Sequence, residues 1–176
     1  MKKLQFNKKQ FLSWLFQLIL LAFVFYTASW YQQRNMLVTG EKIKQSQLSL
    51  LSITGQAKHY QLDNGKNDTF IYFFAPWCSV CHASIDNLEN IYRSKPEAIE
   101  IIVIALDWSS IDEVDEFLSQ HELTMPILLG TNQVMKNFKI KAFPSYYLIS
   151  RNGEIVSKNM GYTTELGINW RILFNR

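Results

Sequence analysis

The apolar pattern divides the chain into a long uncharged stretch, a polar segment and a region of short alternating elements. From Gln10 to Gln33 no charged residue occurs, and Phe11 to Tyr31 reads FLSWLFQLILLAFVFYTASWY. As a helix rising about 1.5 Å per residue, that run reaches roughly 30 Å, the thickness of a bilayer hydrocarbon core. Asn35 to Gln47 is polar, with little apolar periodicity, and reads as a tether. The expected organisation is a short N-terminus (1–10), a membrane span (11–31), a linker (32–47) and one folded domain (48–176).

Within the domain, Leu48 to Ile53 and Ala57 to Leu62 flank Thr54-Gly55 and precede an Asp63-Asn64-Gly65 turn, which predicts a hairpin. Thr69 to Phe74 is β-branched and aromatic throughout and predicts a buried strand. The period then changes. Cys81, Ile85, Leu88 and Tyr92 form one stripe of an amphipathic helix over 79–93. A second buried strand is expected at Glu100 to Leu106, then a helix from Ile111 to Gln120 begun near Ser109 or Ser110. Ile127 to Leu129, a short helix around Gln133 to Phe138, strands Ser145–Ser150 and Glu154–Asn159 about an Arg151-Asn152-Gly153 turn, and a helix from Thr164 to Phe174 complete the order. Strand-helix-strand followed by a terminal hairpin and helix implies an α/β fold with a mixed sheet covered by helices.

Charge sharpens this picture more than composition does. The 176 residues are 48% apolar and carry a net charge of +3, enough for one ordinary core. The basic excess sits before Met36, where Lys2, Lys3, Lys8, Lys9 and Arg34 face no acid; residues 37–176 carry a net −2. A nucleic-acid surface needs clustered Lys and Arg on the folded domain, so no nucleic-acid partner is expected. Lysines before the apolar run and Trp30-Tyr31 at its far end predict a single pass with a cytoplasmic N-terminus and an exported domain. The rival is a cleaved signal peptide with Thr27-Ala28-Ser29 as its small-residue site. The apolar run is longer than a usual signal core, and bulky Phe25, Tyr26, Trp30 and Tyr31 crowd the site, which favours retention.

The candidate chemistry lies at Ala75-Pro76-Trp77-Cys78-Ser79-Val80-Cys81-His82, where strand gives way to helix. A thiol at a helix N-terminus faces unpaired N–H groups and the positive end of the dipole, which favour its thiolate. Cys78 occupies that place; Cys81, one turn on and inside the apolar stripe, is its shielded partner. Such a pair can exchange two electrons with a substrate disulfide.

Two cysteines at this spacing also serve other chemistry. A purely structural disulfide would close a four-residue ring and stabilise little. Structural zinc wants four ligands, and no second cysteine pair exists. A Cu(I) site from Cys78, Cys81 and His82 is chemically reasonable and makes a copper-handling module the alternative function. C-x-x-C-H also matches covalent haem attachment, but the motif here follows a buried aromatic strand. His59 and His121 have no companions at ligand spacing and read as surface residues.

FFAPWCSVC resembles the active-site strand and turn of the thioredoxin superfamily, and Ala142-Phe143-Pro144-Ser145-Tyr146-Tyr147-Leu148-Ile149 resembles its cis-proline segment leading into a strand. The run LSLLSITGQ is similar to the N-terminal hairpin of membrane-anchored TlpA-like bacterial thiol-disulfide oxidoreductases. The resemblance covers residues 48–174. It implies a thioredoxin-like fold in which Cys78 attacks and Cys81 resolves. It further implies that Pro144 is cis beside them, Phe143 offers its backbone to an extended substrate, and Trp77 borders the dithiol. It also implies a protein disulfide reductase of the bacterial inner membrane with a periplasmic catalytic domain. Its partners would be exported disulfide-containing or thiol proteins and a membrane thiol relay as electron donor, with no metal or dissociable cofactor.

Two departures bear on proton transfer. Where thioredoxins often carry an acid in the active-site strand this chain has Tyr72, and where many TlpA-like reductases carry Glu after the second cysteine it has Ser84. Asp86 and Asp107 are the carboxylates that could substitute. Ser79-Val80 replaces the common Gly-Pro between the cysteines.

Overall fold

The computed structural model describes residues 8–94 and 99–174. Residues 1–7 of the expected N-terminal segment, and the last two residues of the expected domain, lie outside the described residues. The chain forms two compact units, residues 1–35 and 36–176.

In the first unit, α1 (Lys8–Gln33) is one helix long and apolar enough to cross a membrane. Its apolar side chains, Phe11, Leu12, Phe16, Leu18 and Leu21 among them, are exposed in the protein itself. A helix apolar on all sides is stable only where lipid or protein covers it.

In the second unit, β1 (Gln47–Ser52) and β2 (Ala57–Gln61) form the antiparallel hairpin. The remaining elements are β3 (Asp68–Phe74), α2 (Ser79–Ser94), β4 (Ile99–Ala105), α3 (Ile111–Ser119), β5 (Ile127–Leu129), α4 (Asn132–Asn137), β6 (Ser145–Ile149), β7 (Ile155–Met160) and α5 (Glu165–Phe174). They build one mixed sheet in the order β2-β1-β5-β4-β3-β6-β7, with β3, β4 and β5 parallel and the other pairs antiparallel. This is the thioredoxin-like α/β arrangement.

Period-two alternation on the central strands separates two cores. Phe70, Tyr72 and Phe74 of β3, with Ile101, Val103 and Ala105 of β4, pack on one side against Ile85 and Leu88 of α2, Phe117 of α3 and Ile168 of α5. Ile71 and Phe73, with Ile102 and Ile104, pack on the other side against Val134 of α4 and Phe138. Because both faces are covered, these strands read as continuous apolar runs rather than alternating ones.

The segment expected as a linker behaves differently from Met36 onward. Met36 is buried in the second core, and the Leu37 N–H donates to the Tyr147 hydroxyl at 3.1 Å. Gly40 N–H donates to Ile155 O, Ile155 N–H to Glu41 O, and Ile43 N–H to Gly153 O, at 2.8–3.0 Å. Burial of Met36, packing of Leu37 and Ile43 and main-chain bonding alongside β7 make the segment part of the domain, although its few apolar residues follow no period.

One buried acid anchors α2. The Glu89 carboxylate accepts from Arg93 Nε at 2.8 Å, from the Thr124 hydroxyl, and from the Met125 N–H at 3.2 Å. Burial pushes its carboxyl up, but the hydrogen bonds from Thr124, Arg93 and Met125 outweigh this and hold it below the ordinary carboxylate value. A depressed carboxyl contributes stability that is present above its unfolded value and is lost as pH falls through its folded one. Replacing Glu89 with Gln is expected to cost about 1.5–3 kcal/mol near neutrality, as for other hydrogen bonds to a charged group. Thermal unfolding between neutral and acid pH checks this: the wild type should lose its advantage over E89Q on acidification.

Candidate active site

The active-site turn is made by β3 running out of partners. After Phe74, the chain turns at Ala75-Pro76-Trp77, and the Cys78 N–H donates to Ala75 O at 3.1 Å. The Cys78 carbonyl accepts from the Cys81 and His82 N–H groups at 2.9 and 3.2 Å, which starts α2 at Ser79. Cys78 is therefore the capping residue. Its Sγ accepts from the Cys81 N–H at 3.1 Å, the role that a Ser or Asp oxygen usually fills at a helix start. That donor and the helix dipole both favour negative charge on Cys78 sulfur.

The two sulfurs are bonded to each other, with Cα atoms 5.2 Å apart. Cys78 is 5% exposed and Cys81 0%, so solvent reaches only the first. The Phe143–Pro144 peptide bond is cis. The antiparallel register pairs Phe73 with Ser145, which brings Pro144 level with the end of β3. Gly161 N–H donates to the Pro144 carbonyl at 2.8 Å.

Trp77 stands edge-on to the Phe143 ring at 5.7 Å and is 64% exposed. Its indole N–H donates to the Asp107 carbonyl at 3.1 Å. Asp107 has a left-handed φ of 53°, which turns the chain between β4 and α3. Trp77 and Asp107 share with Pro76, His82, Glu113 and Glu116 an open cleft of about 510 Å³ beside the turn.

Behind the disulfide, the two positions where an acid is missing meet each other. The Tyr72 hydroxyl and Ser84 Oγ are 2.6 Å apart, both buried, and Ser84 Oγ is 3.5 Å from the Cys81 carbonyl oxygen. Burial, opposed by the Ser84 hydrogen bond, pushes the Tyr72 phenol far up, so it stays neutral. Two hydroxyls thus satisfy one another where sequence comparison anticipates a carboxylate.

The histidines require a correction. His59 is exposed and paired with Ser49 Oγ. His121, expected at the surface without companions, has a side chain only 7% exposed. Its Nε2 is 2.9 Å from His82 Nδ1, and its Nδ1 is 3.0 Å from Asp86 Oδ1. Sequence offers no signal for this contact, since 39 residues separate the two rings and only the turn after α3 brings them together. Among the described residues, no group of three or more His, Cys, Asp and Glu side chains is arranged to hold a metal ion.

Comparison with known proteins agrees with this arrangement. The Redoxin family model matches residues 39–167. Thiol-disulfide oxidoreductase ResA of Oceanobacillus iheyensis is 29% identical over 117 residues, covering 65% of this chain and 55% of that protein, so the chain spans about half of that relative's length. Thioredoxin-like protein YneN of Bacillus subtilis is 25% identical over 159 residues, covering 86% of this chain and 92% of its own. The crystal structure of StoA from Bacillus subtilis superposes with a TM-score of 0.65 at 21% identity, over 74% of this chain and 98% of that one, which shows the shared fold. With a family model that runs from the segment beside β7 into α5 and a cysteine pair capping α2, this chain belongs to the Redoxin family and is a TlpA-like member of the thioredoxin superfamily.

Proposed function

We propose that the protein is a membrane-anchored thiol-disulfide oxidoreductase that reduces disulfides of exported proteins on the outer side of the bacterial inner membrane. The observation that carries this reading is the position of the Cys78–Cys81 disulfide at the start of α2, with the Cys78 sulfur accepting from the Cys81 N–H and Cys78 the less buried residue of the pair. In the reduced protein, Cys78 thiolate attacks one sulfur of a substrate disulfide and expels the other as a thiolate. Cys81 then attacks Cys78 sulfur, releases the second substrate thiol and restores the Cys78–Cys81 bond. Two electrons leave the dithiol in each cycle.

Substrate lies across the turn in this reading. Pro144 has no N–H of its own to compete for a partner, and Phe143 supplies the backbone against which an extended substrate segment pairs. Trp77, exposed beside Phe143, supplies apolar contact at the border. The helix α1 anchors the domain, with the N-terminus cytoplasmic and the domain periplasmic. Reduction in an oxidising compartment requires a membrane thiol relay to return electrons to Cys78–Cys81.

Replacing Cys81 with Ser is expected to leave substrates covalently held on Cys78, visible as reductant-sensitive adducts in non-reducing electrophoresis and identifiable by mass spectrometry. Adducts formed by the Cys78→Ser variant instead would reverse the two roles. For the anchor, full-length protein is expected to stay in membranes through a carbonate wash, and Cys78 of the reduced protein is expected to react with a membrane-impermeant maleimide added outside the inner membrane. A shortened, soluble form would show cleavage within the apolar run.

A further inference from the structure

Charge is unevenly spread over the domain. Residues 37–176 carry a net −2, yet one cleft of about 520 Å³, between the 41–45 segment and the end of α4, is lined by Lys42, Lys44, Lys136 and Lys139 against a single acid, Glu41. Among the described residues, none of these four ammonium groups pairs with a carboxylate. Leu37, Ile43, Phe138 and Ile155 supply the apolar part of the lining, and the last two are buried in the second core.

A helix C-terminus accounts for part of this. Lys136 stands in the last turn of α4 and Lys139 just beyond it, where the dipole favours cations. It does not account for Lys42 and Lys44, which arrive from the segment held beside β7. Nor does it explain the backbone of Lys139, whose φ of 51° is the left-handed conformation that Gly or Asn usually takes after a helix. The crowding reaches β7, where burial and then the Lys139 charge hold the Lys158 ammonium below its ordinary value. A cleft lined by one sign of charge attracts its counter-ion. Apolar lining beside the cations suits an anion carried on an apolar body.

Chain connectivity points to the source of that anion. Leu37 is four residues from Gln33, the last residue of α1, a reach of at most roughly 14 Å. With α1 in a bilayer, lipid headgroups are therefore held at high local concentration around the cleft. Ser145 pairs with Met160 and Ile149 with Ile155, so Ile155 lies at the end of the β6–β7 pair away from Pro144. Among the described residues that line the cleft, none comes from the Cys78 turn, so filling it leaves that turn open to substrate.

We infer that this cleft docks anionic headgroups of the bilayer that α1 spans, and that Lys42, Lys44, Lys136 and Lys139 hold the domain against the membrane surface through them. The inference rests on the anchor reading given above and adds to it a second membrane contact, one that depends on lipid charge.

Full-length protein in lipid nanodiscs tests it, because α1 holds the chain in discs of either charge. The cleft lysines should be acetylated by a water-soluble reagent about fivefold more slowly in discs containing phosphatidylglycerol than in discs of phosphatidylcholine alone, the factor an anionic surface supplies per cation. Mass spectrometry reads each lysine separately. Lys58, on β2 at the opposite edge of the sheet, should react alike in both. Raising the salt concentration should shrink the difference. The K42Q/K44Q variant should lose the protection of Lys136 and Lys139, and K42R/K44R should keep it. Equal acetylation of the cleft lysines in the two discs overturns the inference, as does equal slowing at Lys58. Inorganic phosphate that protects the cleft in phosphatidylcholine discs as well as phosphatidylglycerol does would also overturn it, making the cleft a site for free anions. Protein that stays out of both kinds of disc would overturn the anchor reading itself.

Discussion

A single hydrogen bond, from the Cys81 N–H to Cys78 sulfur, is where the fold and the chemistry of this protein meet. A helix start leaves N–H groups without partners, and something must accept them. Most helices use an oxygen. Here the Cys78 sulfur shares the Cys81 N–H with the Cys78 carbonyl, so the same atom helps to cap α2 and receives a donor that favours its thiolate. The rest of the domain serves to place that helix start: β3 is buried on both faces so that it ends at a fixed height, Glu89 ties α2 to the segment leading into β5, and β6 brings Phe143 and Pro144 level with the turn.

The surroundings of the cysteine pair differ on its two sides. The inner side is closed by the Tyr72 and Ser84 hydroxyls, which satisfy each other and carry no charge. The outer side opens on a cleft bearing Trp77, His82 and acidic residues. In that cleft the His82 ring is held by His121, which pairs in turn with Asp86. The two cysteines also differ in burial, Cys78 keeping a slight exposure and Cys81 none.

Much of this was legible in the sequence because buried strands and an amphipathic helix leave periodic traces. TFIYFF, EIIVIAL and the Cys81-Ile85-Leu88 stripe became β3, β4 and the inner face of α2, and the strand-helix junction placed Cys78 at the helix start. What was not legible depends on contacts that leave no period. Met36 to Ile43 joins the domain through burial of Met36 and main-chain bonds beside β7, contacts that leave no apolar period in the sequence. Glu89 is a buried acid on a helix whose pattern alone would leave it at the surface; its partners Thr124 and Met125 lie beyond the next strand and helix. His121 looked solitary because its companions come from another helix, and Tyr72 and Ser84 looked like two losses because the bond between them crosses from strand to helix.

The difference between the two sulfurs is the claim on which the account stands, and ionisation measures it directly. The pH dependence of iodoacetamide alkylation should be followed in the reduced full-length protein, with each cysteine assigned by mass spectrometry. Cys78 is predicted to react first and to ionise below the ordinary thiol value of about 8.5, with Cys81 ionising above it. Equal, ordinary reactivity at both positions, or a thiolate found first at Cys81, would contradict the account.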